Sequence, residues 1–237
     1  MKNLFKHTLG DIPGGRVLDV ATQEGGFIRI LTENLKSYGE IFGIDTNEQA
    51  LKTAANNFEG EKIHFIQMDA ERSGFENECF DLVCISASLH HLDNIPFVLA
   101  EMKRVLRLGG RFILIEMHSD GQTETQLTSV QLHHWIADVD TATGRLHNRT
   151  LPRQAFVDYV KSLGLNNVKF HDFDNLDSGP MNEEGIKFLE GVIDRYIQRA
   201  EGVSSYKELK KRGEALRNRL HEVGANREPV LLAIGEK

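Results

Sequence analysis

Residues 17–27 read VLDVATQEGGF, and this segment decides the fold class. An apolar run carrying the acid Asp19 predicts a buried strand, and the small residues after it predict a tight loop before a helix. In doubly wound sheets ligands bind at the carboxyl ends of the strands. Small residues let a ligand approach this loop, and amides at the helix N-terminus favour an anionic group. The segment therefore predicts a ligand site, although an ordinary strand-to-helix turn would share the pattern.

Strand and helix patterns alternate along the first half of the chain. Runs rich in Val, Ile and Phe predict strands at residues 16–21, 40–45, 63–69, 81–87 and 110–118. Between them, apolar residues recur at helical spacing at 27–35, 51–58 and 98–106. Strands that alternate with helices predict βαβ units, and therefore an α/β fold with a parallel sheet covered by helices on both faces.

The second half of the chain is less regular. Helical patterns occupy 123–139 and 152–163, and residues 167–173 and 230–234 predict two further strands. Between those two strands lie two long helical patterns with narrow apolar seams, separated by a break at 202–204. They predict a helical hairpin inserted at 175–226. Because an apolar seam must be buried, we expect the hairpin to cover the cleft or to form a homodimer contact.

The composition restricts the class of protein. The chain has 237 residues, 40% of them hydrophobic and 27% charged, as expected for one globular domain spanning 1–237. A formal net charge of −7 argues against general nucleic-acid binding, which needs a basic face. No run reaches the roughly 18 apolar residues of a membrane span, and no signal peptide is visible. With two cysteines, expected to be reduced, the protein is predicted to be soluble and cytoplasmic.

Acidic residues also end the second and third predicted strands. Asp45 follows IFGI, where it can accept hydrogen bonds from two ribose hydroxyls or cap the helix that begins near Asn47, and the two roles can coexist. Asp69 follows FIQM, where it can accept from an exocyclic adenine amine. Its neighbours Met68 and Ala70 can pack on the ring. The three strand ends together predict a nucleoside site.

The order of these features resembles the class I S-adenosylmethionine-dependent methyltransferases. Over about residues 12–118 the chain shows the family's succession of strand, acid, loop and glycine, then two strands ending in Asp, then FDLV and a histidine pair. The run MKRVLRLGG at 102–110 is similar to the family's turn into its fifth strand. The resemblance is greatest to small-molecule methyltransferases of the ubiquinone/menaquinone-biosynthesis-like kind. It implies S-adenosylmethionine as cofactor and methyl transfer by in-line displacement.

The resemblance also implies a site and a topology. The implied sheet is doubly wound, mostly parallel and seven-stranded, in the order 3-2-1-4-5-7-6, with residues 12–118 as the cofactor-binding core and 119–150 as a mobile substrate cover. The implied cofactor residues lie at the strand ends; they are Asp19, Ala21, Thr22, Gln23, Gly25, Asp45, Thr46, Met68, Asp69, Ala70 and Ser86.

The first loop departs from the family pattern. The family usually has glycine at three alternating positions after the first acid, but here Ala21 and Gln23 occupy the first two, and only Gly25 remains. Ala21 is a small change. The Gln23 side chain either hydrogen-bonds the cofactor carboxylate or crowds the site.

Three histidines are candidates for a general base, which methyl transfer needs only when the acceptor must lose a proton. His91 follows the fourth predicted strand, His118 ends the fifth, and His134 lies in the predicted cover. His133, His147 and the acids near them fit no standard spacing for metal ligands, so no metal site is predicted.

Three alternative functions remain open. A nicotinamide-dependent dehydrogenase would need Gly-x-Gly-x-x-Gly after the first strand, and residues 21–26 read ATQEGG. A non-catalytic module that binds the cofactor, or nothing, is compatible with the altered glycine loop. A methyltransferase acting on protein or RNA is the third, and the acidic charge disfavours RNA. We expect a small-molecule acceptor and no nucleic-acid partner.

Overall fold

A computed structural model describes residues 2–173 and 179–237 of the protein. Seven strands form one sheet in the order β3-β2-β1-β4-β5-β7-β6. Strands β1 to β5 are parallel, and β7 is antiparallel to both β5 and β6. The strands are β1 Arg16–Val20, β2 Glu40–Asp45, β3 Ile63–Gln67, β4 Phe80–Ser86, β5 Leu106–Met117, β6 Asn166–Phe173 and β7 Val230–Glu236. The order and direction of the strands confirm the predicted doubly wound sheet.

Eight α-helices accompany the strands in the part of the chain that the structure describes. They are α1 Lys2–Leu9, α2 Gly26–Asn34, α3 Glu48–Asn57, α4 Ile95–Val105, α5 Glu124–Ala142, α6 Arg153–Ser162, α7 Glu183–Arg199 and α8 Tyr206–Glu222. Two 3₁₀ turns, Ala70–Arg72 and Leu89–His91, follow β3 and β4. None of these described helices combines the length and apolar character that crossing a bilayer requires.

Helices cover both faces of the sheet. On one face, Val98 and Met102 of α4 and Phe156 of α6 pack against buried strand residues. On the other face, Ile28 and Leu31 of α2 pack against a second buried cluster. Because β1 and β4 lie between these layers, nearly all of their side chains are buried, and their carboxyl ends are held at fixed positions.

Three features differ from the sequence prediction. The predicted third strand extends to Asp69, but β3 ends at Gln67 because Asp69 caps a 3₁₀ turn, accepting from the Glu71 amide at 2.9 Å. Strand β5 begins at Leu106 rather than residue 110, and an irregular register opposite β4 accommodates the extra residues. Helix α1 was not predicted, and it places Phe5 against α2 and β6.

Helices α7 and α8 lie between β6 and β7 in the chain. They pack against each other and against α5, with a shared buried cluster that includes Trp135, Ile193 and Leu216. The indole Nε1 of Trp135 donates a hydrogen bond of 2.8 Å to the Leu209 carbonyl. Residues 175–178 of the predicted hairpin segment lie outside the described residues. Much of the apolar seam is thus buried within one chain, and a contact between two copies stays a prediction.

The segment between β5 and α6 begins and ends at the same place on the sheet. His118 and Leu151 form an isolated parallel bridge, and the Ser119 amide donates to the Leu151 carbonyl at 3.0 Å. Residues 119–150, which include α5, therefore leave the sheet and return to it at one point.

Candidate active site

Two adjoining cavities lie at the carboxyl ends of the central strands. The larger has a volume of about 810 Å³ and the smaller about 380 Å³. Both are lined by Ala21, Gln23 and Ser88, so the loop after β1 and the turn after β4 form a common boundary. The larger is also lined by Asp45, Thr46, Met68, Asp69, Ala70 and His91, and the smaller by Asp19, Thr22 and Ser86. The structure thus brings every predicted cofactor residue except Gly25 to a cavity wall.

Gly25 has a different role. It has φ 79° and precedes α2 as the N-cap. A Cβ atom at this position would lie 2.6 Å from the Phe58 ring, so a side chain here would have to displace a buried phenylalanine. Gly25 is therefore needed for the packing of α2 near α3 and does not line either cavity.

Asp45 connects the first loop to the end of β2. Its Oδ2 accepts from the Gln23 amide at 2.9 Å, and its Oδ1 accepts from the Asn47 amide at 2.8 Å. The cap of α3 is Asn47, whose Oδ1 accepts from the amides of Gln49 and Ala50. Asp45 therefore does not cap the helix. It fixes the position of the loop while its carboxylate lines the larger cavity.

The wall opposite Asp45 combines a carboxylate with apolar side chains. Asp69 is exposed, whereas Met68 and Ala70 are half-buried and pack against the main hydrophobic core. Leu92 and Val98 complete this side of the larger cavity. The arrangement suits a flat ring with a hydrogen-bond donor on its edge.

Asp19 is a buried acid at the smaller cavity. Its Oδ2 accepts from the Thr22 hydroxyl at 2.6 Å, and its Oδ1 lies 3.4 Å from the Cys84 sulfur. Burial raises the pKa of this carboxyl from 3.8 to about 7, and the hydrogen bonds from Thr22 and Cys84 oppose the rise. None of the groups that shift this pKa is positively charged. A cationic ligand in the cavity would therefore favour the ionised form.

The first loop keeps a glycine-like backbone although two glycines are replaced. Ala21 has φ 54° and Gln23 has φ 46°, both in the left-handed region. This conformation costs a non-glycine residue roughly 1–2 kcal/mol. The exposed Gln23 side chain stands where the two cavities meet.

The structure does not bring together the three histidines predicted as bases. His91 lines the larger cavity. His118 is buried at the end of β5, with Nδ1 3.2 Å from Asp120 Oδ1. His134 Nε2 lies 2.8 Å from Thr150 Oγ1, and His134 lines a separate cavity with Arg149 and Arg212. Neither His118 nor His134 lines the two cavities at the strand ends, so His91 is the one predicted base at this site.

A cluster of four imidazoles adjoins the larger cavity; we call it the histidine cluster, and its members are His90, His91, His133 and His147. Ring centroids are 4.2 Å apart for His90 and His91 and 4.3 Å apart for His91 and His147. Burial lowers the pKa of His91 to about 4 and that of His133 to about 3, and charges on neighbouring histidines add to both shifts. Both rings are therefore neutral near pH 7.

Sequence reasoning missed this cluster because its members come from three separate elements. His90 and His91 lie in the 3₁₀ turn after β4, His133 on α5, and His147 in the loop after α5. The only hint in the sequence is the number of histidines that follow β4 and β5.

Residues 18–114 match the family model described as a methyltransferase domain. Together with the strand order β3-β2-β1-β4-β5-β7-β6, this match supports the predicted class I S-adenosylmethionine-dependent methyltransferase. It is similar to the ubiquinone/menaquinone biosynthesis C-methyltransferase UbiE of Burkholderia vietnamiensis, with 27% identity over 70% of this chain and 72% of that protein. UbiE of Ectopseudomonas mendocina is 32% identical over 46% of this chain, and the aligned part is 44% of that relative's length.

Solved structures show the same fold. The YcgJ protein from Bacillus subtilis superimposes with a TM-score of 0.62 at 18% identity, covering 100% of this chain and 97% of that one. A putative methyltransferase from Bacillus halodurans gives a TM-score of 0.60 at 20% identity, covering 100% and 98%. The predicted fold is thus confirmed, and the comparisons support the predicted family and cofactor, whereas the acceptor is a matter for proposal.

Proposed function

We propose that the chain transfers the methyl group of S-adenosylmethionine to a small-molecule acceptor, and that the two adjoining cavities hold the cofactor. In this assignment the nucleoside occupies the larger cavity. Asp45 accepts from the ribose hydroxyls, and Asp69 accepts from the adenine amine while Met68 and Ala70 pack on the ring. The amino-acid part occupies the smaller cavity beside Asp19, Thr22 and Ser86. The observation that best supports this assignment is the boundary that the two cavities share.

The charge at Asp19 supports the assignment. S-adenosylmethionine carries a sulfonium and an ammonium group, and a buried carboxylate without a cation is stabilised by such a ligand. The hydrogen-bond acceptors that line the two cavities also match the cofactor, because their carboxylates can accept from its hydroxyl and amine groups while apolar side chains pack on its ring.

The acceptor side supports a small substrate. Arg145 and Leu146, from the loop after α5, line the larger cavity together with His91. An acceptor must therefore reach the cofactor beside this loop and the histidine cluster. A substrate small enough to enter between them fits this geometry better than the surface of a folded protein. The curated relatives are C-methyltransferases of ubiquinone and menaquinone biosynthesis, so quinone precursors are the first acceptors to test.

Catalysis in this proposal depends mainly on alignment. Bound S-adenosylmethionine supplies an electrophilic methyl group, and holding an acceptor in line with it is worth roughly 7–11 kcal/mol. The cavity walls hold the two reactants and exclude water. His91 is neutral near pH 7 because its pKa is lowered, so its ring can accept a proton from an acceptor that must lose one.

Calorimetric titration with S-adenosylmethionine, S-adenosylhomocysteine and NAD tests the cofactor assignment. We expect binding of the first two at about micromolar concentration and no heat with NAD. Incubation with methyl-labelled S-adenosylmethionine and a panel of small phenols and quinone precursors then tests turnover. A folded sample that binds neither methionine-derived ligand contradicts the proposal, and cofactor binding without transfer to any small acceptor favours the non-catalytic alternative.

A further inference from the structure

We propose that His90, His133 and His147 form a binding site for a divalent first-row transition-metal ion. Each residue offers one ring nitrogen, and the three nitrogens lie within 4.8 Å of one another. His90 and His147 are buried, with 2% and 7% of their surface exposed, and His133 is half-buried. Three convergent imidazoles are the ligand set that zinc, iron, cobalt, nickel and copper share.

Carboxylates hold two of the three ligands in the orientation that metal binding requires. His90 Nδ1 lies 3.1 Å from Glu116 Oε1, and His147 Nδ1 lies 2.9 Å from Asp140 Oδ2. A carboxylate oxygen accepts hydrogen bonds, so Nδ1 of each ring can donate to its carboxylate and leave Nε2 available as a ligand atom. A carboxylate behind a histidine ligand is the arrangement that fixes the tautomer and raises the basicity of metal-binding histidines.

The spacing of one pair of ligand nitrogens fits a metal ion. His133 Nε2 and His147 Nε2 are 3.1 Å apart. Bonds from zinc to histidine nitrogen are about 2.0–2.1 Å long, so two nitrogens on a tetrahedral zinc ion lie about 3.3 Å apart. The alternative is a hydrogen bond between the two rings, in which one of them would carry the proton on Nε2. If His147 carried that proton on Nε2, its ring would hold two protons whenever Nδ1 also donates to Asp140.

The two carboxylates are themselves held in place. Glu116 is buried on β5 and also accepts from the Leu89 and Met117 amides, at 2.7 and 3.0 Å. Asp140 on α5 pairs with Arg199 of α7 at 2.6 Å. The site thus rests on the sheet and on two packed helices, which favours a fixed coordination geometry. Imidazole nitrogens also select against Mg²⁺ and Ca²⁺, which prefer oxygen ligands.

The location of the site gives the metal a role, and this step rests on the proposed function. A three-histidine site leaves a coordination position open, as catalytic zinc sites do. His91 packs against His90 and His147 and lines the larger cavity, so the metal site lies beside the region that the proposed function assigns to the acceptor. The substrate class that fits is an acceptor with an oxygen donor, such as a hydroxyl or carboxylate, beside the carbon or heteroatom to be methylated.

The test uses the full chain without an affinity tag, freed of metal by dialysis against a chelator. Equilibrium dialysis with Zn²⁺ measures stoichiometry and affinity, and Mg²⁺ serves as the oxygen-preferring comparison. Co²⁺ gives visible absorption bands that report nitrogen coordination. We expect one Zn²⁺ per chain, such bands with Co²⁺, and no binding of Mg²⁺ at the same concentration.

Two variants and one matched control locate the site. His133→Gln and His90→Gln each remove a ligand, and we expect zinc affinity to fall roughly 100-fold or more. His134→Gln changes the next residue of α5, whose ring contacts Thr150 instead, and it should bind zinc as the wild type does. Circular dichroism verifies the folding of each variant.

The metal site is wrong if the wild type binds no stoichiometric Zn²⁺, or if its Co²⁺ form lacks bands of nitrogen coordination. Unchanged zinc affinity in folded His133→Gln and His90→Gln proteins overturns it as well. Calorimetry with S-adenosylhomocysteine on the same samples separates this inference from the proposed function. Cofactor binding without zinc binding refutes the metal alone, and zinc binding without cofactor binding refutes the cofactor assignment alone.

Discussion

The backbone amide of Gln23 donates a hydrogen bond of 2.9 Å to Asp45, and so joins the loop after β1 to the end of β2. Gln23 holds a left-handed φ of 46° in this loop. One acid therefore fixes a strained loop and also lines the cavity assigned to the nucleoside. Stability and cofactor binding are coupled at this position.

Gln23→Gly should stabilise the protein. Glycine adopts a left-handed φ without the strain of roughly 1–2 kcal/mol that glutamine bears, and its greater freedom in the unfolded chain offsets part of the gain. We expect an increase of roughly 0.5 kcal/mol in the free energy of unfolding by urea denaturation. The control is Gln49→Gly on α3, where the backbone is helical and a loss of roughly 0.5–1 kcal/mol is expected. Equal losses in both variants would contradict the strain argument.

Asp45→Ala should weaken the binding of S-adenosylhomocysteine. Loss of the hydrogen bonds from the ribose hydroxyls costs about 1–3 kcal/mol, which calorimetry can measure. Asn47→Ala is the matched control, because it removes the cap of α3 two residues away. That variant should lose about 1 kcal/mol of stability while it keeps its cofactor affinity. The reverse outcome would assign the ligand role to Asn47.

The pKa of Asp19 predicts how stability depends on pH. Burial raises this pKa from 3.8 to about 7, so between these values the folded chain holds a proton that the unfolded chain has lost. The free energy of unfolding should therefore fall as the pH rises through this window. Asp19→Asn removes this contribution and should flatten the decline in Tm between pH 5 and 8. Exposed Asp11, changed to Asn, serves as the control; a wild-type profile in Asp19→Asn would contradict the prediction.

Gly213→Ala should destabilise the contact between α8 and α5. A Cβ atom at Gly213 would lie 2.7 Å from the Trp135 ring, whereas one at Gly191 on α7 would meet only the Arg195 side chain, at 3.6 Å. Overpacking of this kind costs about 1–3 kcal/mol, while alanine in place of an open helical glycine gains up to about 1 kcal/mol. Thermal melts followed by the fluorescence of the single tryptophan compare the two variants. Similar Tm values for both would refute the packing argument.

Hydrogen exchange should divide the predicted cover into two parts. Much of α5 is buried, including Trp135, Val139 and Asp140, so we expect slow amide exchange in its central turns. Residues 143–149 are mostly exposed and follow the helix, and Arg145 and Leu146 line the larger cavity. We expect mobility in this loop and slower exchange there when cofactor and acceptor are both bound. Rapid exchange throughout 119–150, with no change on ligand binding, would contradict both expectations.

Most of the fold could be predicted from local patterns. Apolar runs and helical stripes located the strands and helices because each buries its own side chains, and the acids at 19, 45 and 69 marked the strand ends. The start of β5 was missed because its irregular register opposite β4 has no local signature. Helix α1 was missed because its apolar stripe is too short to predict a helix by itself and is explained only by its packing against α2.

From the sequence, the only site residues that could be predicted were those that end or directly follow a single strand. Ser86 ends β4 and Asp69 follows the end of β3 by two residues, so their positions on the cavity walls follow from the topology. The convergence of His133 and His147 with His90 depends on how α5 packs near the strand ends, which no local pattern records. His134 was predicted to be a base at the active site. Its neighbour His133 is the residue of α5 that joins the histidine cluster, because successive helical residues differ by about 100° in direction.

The bridge between His118 and Leu151 makes the segment between them a separable module. Because its two ends meet at one point, the strand order does not depend on the contents of the segment, whereas its helix α5 packs against α7 and α8. The segment's length and sequence can change while β5, β7 and the three acidic strand ends keep their places. If the proposed function is correct, we expect the segment to contribute most to acceptor preference and the strand ends to contribute most to cofactor recognition. Transplanting residues 119–150 between relatives of this fold should exchange the first property and leave the second with the recipient.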